Sequence, residues 1–433
     1  MKKLVGKYKA FWWATKLAFA RLYYGNPSKK LKIIGVTGTN GKTTTTTLLY
    51  KVAMLLGHKS GLIGTVEILV NGEKFVPKGI VPATTPDSVT LTKVFRAMVD
   101  AGCEYVFMEV SSHAIEQNRI SGIKFEGGIF TNLTHDHLDY HKSFKNYFLA
   151  KKKFFDSLPM PSWALTNADD EHGKRMLEDT KAQPFFYGFD YKKETDPSRR
   201  SEAEADPLDP TDRDFYADIV KLDSLGTTIK VNNHYLLNSE LIGRFNAYNL
   251  LCVFSASSLL GFDLVKVAHI LENIQPPLGR FERFVGKNGV IGIVDYAHSP
   301  DAMQNVLSTL NQVKGEGRII SVFGCGGDRD PLKRRIMGKI GAELSDVAIF
   351  TSDNPRSEDP NKIIDEMRTD LSMSLSEKVI IMPDRHEAIK IACGLARSGD
   401  VVAILGKGHE MYQEIKGVKH NFNDMEELKT VLT

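Results

Sequence analysis

One stretch decides the fold: Leu31-Lys32-Ile33-Ile34-Gly35-Val36-Thr37-Gly38-Thr39-Asn40-Gly41-Lys42-Thr43-Thr44. Its first six residues form a short apolar run typical of a buried strand, and Thr46–Leu56 has the pattern of a helix. Glycines between the two let backbone N–H groups turn inward around phosphate oxygens, and the start of a helix adds positive potential there. The stretch therefore predicts a phosphate-binding loop that joins a strand to a helix.

The loop has the composition of a nucleoside triphosphate site. Counted from Gly38 it is one residue shorter than the eight-residue P-loop pattern, and Thr37 takes the first place. We expect Lys42 to bridge the β- and γ-phosphates and the hydroxyl of Thr43 to bind Mg²⁺. The residues predicted to bind ATP here are Gly38, Thr39, Asn40, Gly41, Lys42, Thr43 and Thr44.

Strand and helix patterns alternate through the rest of the chain. Tyr105–Val110 and Gly127–Phe130 look like further buried strands, which favours a mainly parallel sheet covered by helices on both faces. A second set of apolar runs begins near Gly279: Val290–Val294, Ile319–Phe323, Val347–Phe350, Val379–Met382 and Val401–Leu405. The predicted fold class is α/β, with a central P-loop ATPase domain over residues 31–278 and a Rossmann-like C-terminal domain over residues 279–433.

The composition is that of an ordinary globular protein. The 433 residues include 56 Lys and Arg against 53 Asp and Glu, a formal net charge of +3. This balance argues against a dedicated nucleic-acid-binding protein. The four cysteines are scattered, which fits a reducing cytoplasm, and there is no apolar run long enough to predict a spanning helix. We expect a cytoplasmic protein with small-molecule partners.

Two segments stand apart from the strand and helix pattern. Residues 1–30 place aromatic side chains on one helical face and basic residues elsewhere, which predicts an amphipathic helix. Such a helix either packs on the domain that follows or gives peripheral contact with the inner face of the membrane through residues 1–24. Residues 192–214 are polar and rich in proline, and we interpret them as a mobile surface insertion.

Acidic and histidine residues downstream indicate a metal site. Glu109 ends a predicted strand near the phosphate loop, where a carboxylate is well placed as a second metal contact. Thr131–His141 is rich in histidine and aspartate, but it follows a strand and does not form the helical zinc motif. These residue types favour Mg²⁺ and phosphate chemistry, with zinc as the second option.

With these segments in view, the sequence resembles the Mur ligase family, whose members form amide bonds with ATP in peptidoglycan precursor synthesis. The likeness is greatest to the branch that adds the third residue of the peptide. The matching segments, in family order, are Gly35–Thr44, Thr84–Ser88, Glu109–Arg119, Thr131–His141, Gly243–Asn249, Gly279–Glu282, Asp295–Asp301, Gly324–Arg335, Asp353–Arg356 and Gly406–Glu410. The resemblance implies that a substrate carboxylate attacks the γ-phosphate to give an acyl phosphate, and that an amine then displaces phosphate.

The resemblance also implies roles for the matching residues. The catalytic residues would be Lys42, Glu109, His137 and a carbamoylated Lys151, and the Mg²⁺ ligands would be Thr43, Glu109, His137 and Lys151. The nucleotide-side residues beyond the loop would be Asn246, Asn249, Arg280, Asp295, Tyr296, His298 and Arg329. A muramoyl-L-Ala-D-Glu acceptor would be held by Thr84, Thr85, Ser111, Gln117 and Arg119. The amino acid would be held by Arg334, Asp353, Asn354, Arg356, Gly406 and Glu410.

The segment Asp353-Asn354-Pro355-Arg356 resembles the signature of members that use meso-diaminopimelate. An arginine fork can hold the second carboxylate of that amino acid, which lysine lacks. We therefore expect a diamino acid with a second carboxylate.

The chain departs from the family at its start. Typical members carry a UDP-binding domain of about a hundred residues before the phosphate loop, the size of a small domain, and here the loop begins near residue 37. We therefore expect that domain to be lacking, and the acceptor to be either UDP-linked or lipid-linked. The alternatives are a pseudomurein-type ligase of the same superfamily and a non-catalytic nucleotide-binding partner protein. The Asp353–Arg356 and Gly406–Glu410 segments argue against a folylpolyglutamate-like or cyanophycin-like ligase.

Overall fold

A computed structural model describes residues 22–76, 83–134, 136–190 and 214–433. Of the predicted amphipathic segment (residues 1–30), residues 1–21 lie outside the described residues, and so does the predicted insertion (residues 192–214) as far as residue 213. Within the described ranges, no helix has both the length and the apolar character needed to cross a bilayer.

In the part of the chain that the structure describes, the first sheet has eleven strands. They are β1 (Lys32–Thr37), β2 (Ser60–Ile63), β3 (Ile68–Val70), β4 (Glu73–Lys74), β5 (Tyr105–Glu109), β6 (Phe125–Phe130), β7 (Trp163–Asn167), β8 (Gln183–Gly188), β9 (Asp214–Asp223), β10 (Gly226–Val231) and β11 (Tyr235–Ser239). Their spatial order is β11-β10-β9-β8-β7-β6-β1-β5-β2-β3-β4. The strands from β9 to β2 in this order run parallel, and the strands at both ends pair antiparallel.

Helices cover both faces of this sheet. After a short 3₁₀ helix (Pro27–Lys30), they are α1 (Lys42–Leu55), α2 (Ser88–Asp100), α3 (Ser112–Glu116), α4 (Leu138–His141), α5 (Phe144–Asp156), α6 (Gly173–Met176), α7 (Arg244–Leu259) and α8 (Leu264–Glu272). The apolar side chains of α1 and α7 form a buried core on one face, and those of α2 and α5 form the core on the other. This is the doubly wound arrangement expected for alternating strands and helices.

The second sheet has six strands. They are β12 (Glu282–Val285), β13 (Ile291–Asp295), β14 (Ile319–Phe323), β15 (Val347–Phe350), β16 (Val379–Ile381) and β17 (Val401–Leu405), in the order β12-β13-β17-β14-β15-β16. Only the β12–β13 pair of this sheet is antiparallel. The accompanying elements are α9 (Pro300–Val313), α10 (Leu332–Leu344), α11 (Pro360–Arg368), α12 (Met373–Ser376), α13 (Arg385–Leu395), α14 (Asp424–Leu432) and a hairpin of β18 (Tyr412–Ile415) and β19 (Val418–Asn421). Helices again pack on both faces.

The two predicted α/β sheets are confirmed, and the strand runs predicted after Gly279 match β13 to β17 within a residue or two. The helix after the phosphate loop begins at Lys42, four residues before the predicted start at Thr46. Its N-cap is Gly41, whose φ of 82° lies in the left-handed region that favours glycine. The predicted boundary at residue 279 lies between the end of α8 and the start of β12.

The parallel register brings the site residues to one edge of the first sheet. Val36 in β1 pairs with Glu109 in β5, and Thr37 pairs with Phe130 in β6. The carboxyl ends of all three strands therefore meet where the phosphate loop begins, which is the usual ligand-binding edge of such sheets.

Candidate active site

A cleft of about 650 Å³ lies at this edge, and residues from both sheets' domains line it. Its size and its mixture of apolar and polar side chains are typical of small-molecule sites. The predicted site residues that line it are Thr39, Asn40, Gly41, Lys42, Thr43, Thr44, Thr84, Thr85, Glu109, Ser111, Arg119, His137, Lys151, Asn246, Asn249, Arg280, Asp295, Tyr296 and His298. About half of the residues that line the cleft are thus ones that the sequence predicts for the site.

The phosphate loop presents uncapped backbone donors to this cleft. No side chain caps the start of α1, so its first N–H groups stay open to an anion. Gly38 lies behind the cleft lining, and its carbonyl accepts hydrogen bonds from Lys42 Nζ at 2.9 Å and Lys151 Nζ at 2.6 Å. Burial lowers the pKa of Lys42, so an incoming phosphate would restore an environment that favours its charged form.

Thr43 and Glu109 form a pair of hard oxygen donors beside the loop. The hydroxyl of Thr43 donates to Glu109 Oε1 at 3.0 Å, and Glu109 is 1% exposed. Neighbouring ligands of an octahedral Mg²⁺ with bonds of about 2.1 Å stand about 3.0 Å apart, so this pair fits the ion. His137 lines the same cleft, with Nε2 3.5 Å from Asp136 Oδ2.

The zinc option has less support. Among the described residues, no group of three or more His, Cys, Asp or Glu side chains is arranged to hold a metal ion. His135, which belonged to the predicted histidine cluster, lies outside the described ranges.

Lys151 is buried at the base of the cleft. It lies on α5, is 1% exposed, and its ammonium stands 4.6 Å from the ring centre of Tyr147. Burial, together with the nearby charge of Lys42, holds the pKa of Lys151 well below its ordinary value. A carbamate forms only from a neutral amine, so this environment suits the predicted carbamoylation.

The neighbouring lysines point elsewhere. Lys152 pairs with Asp156 and Asp179, and Lys153 pairs with Glu116. Of the three consecutive lysines, Lys151 is therefore the one directed at the phosphate loop.

The second domain contributes several of the residues predicted on the nucleotide side, beginning with Arg280 in the segment after α8. Arg280 Nη2 donates to Thr43 Oγ1 at 3.2 Å, and its guanidinium stands 4.5 Å from the ring centre of Tyr296. Asp295 accepts from the backbone N–H of Phe281 at 2.7 Å, and burial raises the pKa of its carboxyl. These contacts carry groups of the second domain to the phosphate loop.

The asparagines predicted on the nucleotide side bond to each other, since Asn249 Nδ2 donates to Asn246 Oδ1 at 3.1 Å. Arg329 is not among the cleft-lining residues. It is exposed and lies beside Gly326, whose other close neighbours are Arg356 Nη1 and the carbonyl of Asn354. The structure therefore groups Arg329 with the predicted amino-acid-binding residues, and its ATP contact stays a prediction.

The predicted acceptor residues form a ladder of hydrogen bonds leading away from Glu109. Thr85 Oγ1 donates to the carbonyl of Glu109 at 2.8 Å and contacts Ser111 Oγ at 3.3 Å. Arg119 Nη1 donates to the carbonyl of Thr85 at 2.8 Å. Gln117 lies beyond the cleft lining, where its Oε1 accepts from Arg119 Nη2 at 2.6 Å.

Apart from Arg334, the predicted amino-acid residues form a second group, in the loops after β15 and β17. Asn354 Nδ2 donates to Glu410 Oε2 at 2.8 Å. Arg356 donates through Nη1 to the carbonyl of Gly327 at 2.7 Å, and its Nε lies 3.7 Å from Glu414 Oε2. This second group adjoins the cleft through Gly408, which lies against the cleft residue Tyr296. The two are so close that a Cβ on Gly408 would be 2.8 Å from Tyr296 Cβ.

Arg334 does not face the cleft. Its guanidinium is 1% exposed and forms ion pairs with Glu358 at 2.8 Å and with Glu366 at 2.7 Å. The Arg334 guanidinium in turn lowers the pKa of the Glu358 carboxyl to about 2. Arg334 therefore braces α10 against the segment that leads into α11 in this structure, and its contact with the amino acid stays a prediction.

Three residues that the sequence did not single out have clear positions in the site. Thr65 donates to both oxygens of Glu109, through its backbone N at 2.7 Å and its hydroxyl at 3.0 Å. Asp301 Oδ2 accepts from Asn40 Nδ2 at 2.6 Å and so joins the second domain to the phosphate loop. Lys407 is buried among the amino-acid group. Asp301 and Lys407 fall within segments that matched the family, whereas Thr65 carried no sequence signal.

Family models match most of the chain. The Mur ligase middle domain matches residues 36–257, and the Mur ligase glutamate ligase domain matches residues 279–408. A relative from Parabacteroides distasonis, named UDP-N-acetylmuramoyl-L-alanyl-D-glutamate--2,6-diaminopimelate ligase, is 49% identical over 95% of this chain and 80% of its own length. A relative of the same name from Aquifex aeolicus is 41% identical, again over 95% of this chain and 80% of its own length.

Solved structures agree with the fold. A structure with that same enzyme name has a TM-score of 0.61 and 32% identity, covering 93% of this chain and 78% of its own. Folylpolyglutamate synthase from Mycobacterium tuberculosis has a TM-score of 0.70 at 17% identity, covering 90% of this chain and 92% of its own. A pseudomurein peptide ligase from Methanothermus fervidus has a TM-score of 0.62 at 18% identity, covering 88% of this chain and 76% of its own. At such low identities the last two likenesses concern the fold alone.

Proposed function

The chain belongs to the Mur ligase family, and from this premise we propose that it uses ATP to join meso-diaminopimelate to a muramoyl-L-Ala-D-Glu acceptor. The observation that carries the proposal is the position of Glu109 between two groups of residues. The hydroxyl of Thr43 in the phosphate loop donates to its Oε1, the hydroxyl of Thr65 donates to its Oε2, and Thr85 of the acceptor group donates to its backbone carbonyl. A triphosphate bound at the phosphate loop and an acceptor carboxylate bound at the acceptor group would therefore meet beside Glu109.

The first step transfers a phosphoryl group. An oxygen of the acceptor carboxylate attacks the γ-phosphorus, the bond to the β-phosphate oxygen breaks, and ADP leaves. We propose that Lys42 and Arg280 stabilise the negative charge that increases in this step, since Lys42 Nζ donates to the carbonyl of Thr39 and Arg280 Nη2 donates to Thr43 Oγ1 beside the phosphate loop. We propose that Thr43, Glu109, His137 and carbamoylated Lys151 hold Mg²⁺, which would neutralise phosphate charge when bound.

The second step forms the amide bond. The amine nitrogen attacks the acyl carbon, the bond from that carbon to the phosphate oxygen breaks, and phosphate leaves as the nitrogen loses its proton. A carboxylate alone is a poor electrophile, so the preceding phosphorylation supplies the leaving group. We propose that the amino acid binds at the group after β15 and β17, with Arg356 facing its distal carboxylate.

Phosphate release tests the proposal directly. The assay uses the full chain with ATP, Mg²⁺, UDP-MurNAc-L-Ala-D-Glu and either meso-diaminopimelate or L-lysine, and product mass is measured. We expect product with diaminopimelate, and none from a Lys42→Met control. Product with lysine alone would overturn the role given to Arg356. Failure with both amines, followed by turnover of a lipid-linked acceptor, would overturn the choice of acceptor.

A further inference from the structure

A buried lysine stands between two of the predicted amino-acid-binding residues. Lys407 is 0% exposed, and its ammonium donates to Asn354 Oδ1 at 3.1 Å and to Glu410 Oε2 at 2.8 Å. We propose that Lys407 is a positioning residue that fixes Asn354 as a donor and Glu410 as an acceptor toward the amino acid. This inference rests on the proposed function and specifies where the amino-acid pocket presents a hydrogen-bond donor and where it presents an acceptor.

The backbone around Lys407 makes its burial possible. Gly406 has a φ of 113°, and a Cβ there would lie 2.8 Å from Asp353 Oδ2. A Cβ on Gly408 would lie 2.7 Å from the carbonyl of Gly279. Side chains are thus excluded on both sides, and the tight turn after β17 directs Lys407 inward. An ammonium buried in this way is strongly destabilising unless it is paired, and Glu410 and Asn354 provide the partners.

The donors around Asn354 determine which way its amide faces. Its Oδ1 accepts from Lys407 Nζ and from the backbone N–H of Glu414 at 2.8 Å, and both of these groups can only donate. Nδ2 therefore faces the opposite side, where it gives one hydrogen to Glu410 Oε2 at 2.8 Å. One amide hydrogen is left for a ligand. Asn354 can consequently meet a carboxylate of the amino acid but not its ammonium.

Glu410 has the complementary property. Its Oε2 accepts from both Asn354 and Lys407, whereas its Oε1 accepts no hydrogen bond from the described residues. A carboxylate with one free oxygen is suited to an ammonium group. Donor and acceptor thus stand side by side, in the arrangement that a zwitterionic amino-acid centre requires. Without Lys407, Asn354 Oδ1 keeps only the backbone N–H of Glu414 as a donor, and Glu410 loses its counter-charge.

The test separates the two halves of the reaction in the full chain. Lys407→Met removes the ammonium at nearly constant shape, and Lys407→Gln keeps a donor. The matched control is Lys419→Met, because both lysines lie beside Tyr412, with Nζ of Lys407 5.7 Å and Nζ of Lys419 4.0 Å from its ring centre, but Lys419 is exposed. Acyl phosphate is trapped as the hydroxamate with hydroxylamine in the absence of amino acid, and KM for diaminopimelate is measured separately.

We expect Lys407→Met to raise KM for diaminopimelate by roughly 10- to 100-fold, the loss typical of hydrogen bonds to a charged group. Hydroxamate formation and KM for ATP should stay within about twofold of wild type, because the acyl-phosphate half-reaction does not use this pocket. KM for diaminopimelate of Lys407→Gln should lie between those of wild type and Lys407→Met. If the methionine variant does not fold, the glutamine variant is compared with wild type instead.

An unchanged KM for diaminopimelate in these variants would overturn the role of Lys407. An equal loss of both half-reactions would also overturn it, since that pattern marks a purely structural effect. No hydroxamate from the wild-type chain would instead refute the proposed function, so the two failures are distinguishable.

Discussion

Replacing Thr65 by valine tests how Glu109 is oriented for the proposed Mg²⁺ site. Valine keeps the shape of threonine and removes only the hydroxyl that donates to Glu109 Oε2 at 3.0 Å. The backbone N–H of Thr65 and the hydroxyl of Thr43 still donate to Oε1. The variant therefore releases one oxygen of a carboxylate that is otherwise held at both.

The expected loss follows from that single bond. A hydrogen bond to a charged group contributes about 1.5–3 kcal/mol, which corresponds to roughly 10- to 150-fold in an equilibrium or rate constant. Because two donors to Oε1 remain, we expect the lower end, about tenfold in kcat/KM for ATP. The loss should shrink as Mg²⁺ concentration rises, since the ion itself orients the freed oxygen.

The assay is phosphate release at several Mg²⁺ concentrations, with Thr65→Ser as the control. Serine keeps the hydroxyl and should behave like wild type. Equal activity of the valine variant and wild type at low Mg²⁺ would refute the reasoning. A loss in valine that no Mg²⁺ concentration reduces would also refute it, because the hydroxyl would then act on something other than the metal site.

The remaining predictions concern the contact between domains, the carbamate and the acid stability of the second domain. Asp301→Ala removes the acceptor of Asn40 Nδ2 and should raise KM for ATP by about tenfold, whereas Asp301→Asn keeps an acceptor and should lose less, as ATP titrations would show. Lys151→Arg cannot form a carbamate, because a guanidinium stays charged, and should lower phosphate release by about 100-fold or more; wild-type activity should fall in CO₂-free buffer and recover with bicarbonate, and an arginine variant of wild-type activity would refute the carbamate. The pKa of Glu358 is lowered from 4.5 to about 2 by Arg334, so its stabilisation of the folded state is present above pH 4.5 and is lost as pH falls toward 2; urea midpoints of Glu358→Gln should therefore depend less on pH in that window than those of wild type, and parallel curves would contradict this.

Local patterns predicted the elements and half of the site. A strand run followed by Gly41-Lys42-Thr43 predicts a phosphate loop because three neighbouring residues carry the whole signal. The start of α1 was predicted four residues late, since a run of threonines has no apolar periodicity to mark where helix begins. The glycine N-cap marks that start more clearly than the hydrophobic pattern does.

Contacts between side chains that are far apart in the sequence could not be predicted from it. Thr65 contacts Glu109 because β2 pairs with β5, and the sequence around Thr65 contains no pattern that predicts this pairing. Arg334 matched a family segment, yet its partners Glu358 and Glu366 lie 24 and 32 residues away, on elements that pack against α10 only in the folded domain. Composition can predict that a buried arginine needs acids, but only the fold determines which acids they are.

Because the proposed acceptor residues and amino-acid residues lie in different domains, this chain is suited to the construction of domain chimeras. The residues proposed to hold the amino acid, between Asp353 and Glu410, all belong to the second domain, whereas the acceptor residues belong to the first. A relative's second domain could therefore be grafted to change amine choice without altering the acceptor. The graft point matters, because Gly279 and Gly408 approach so closely that a Cβ on Gly279 would lie 2.1 Å from the backbone N of His409. A junction placed before Gly279 would take Gly279 and Gly408 from the same relative. A junction placed after Gly279 would pack Gly279 of one protein against the Gly408 segment of another.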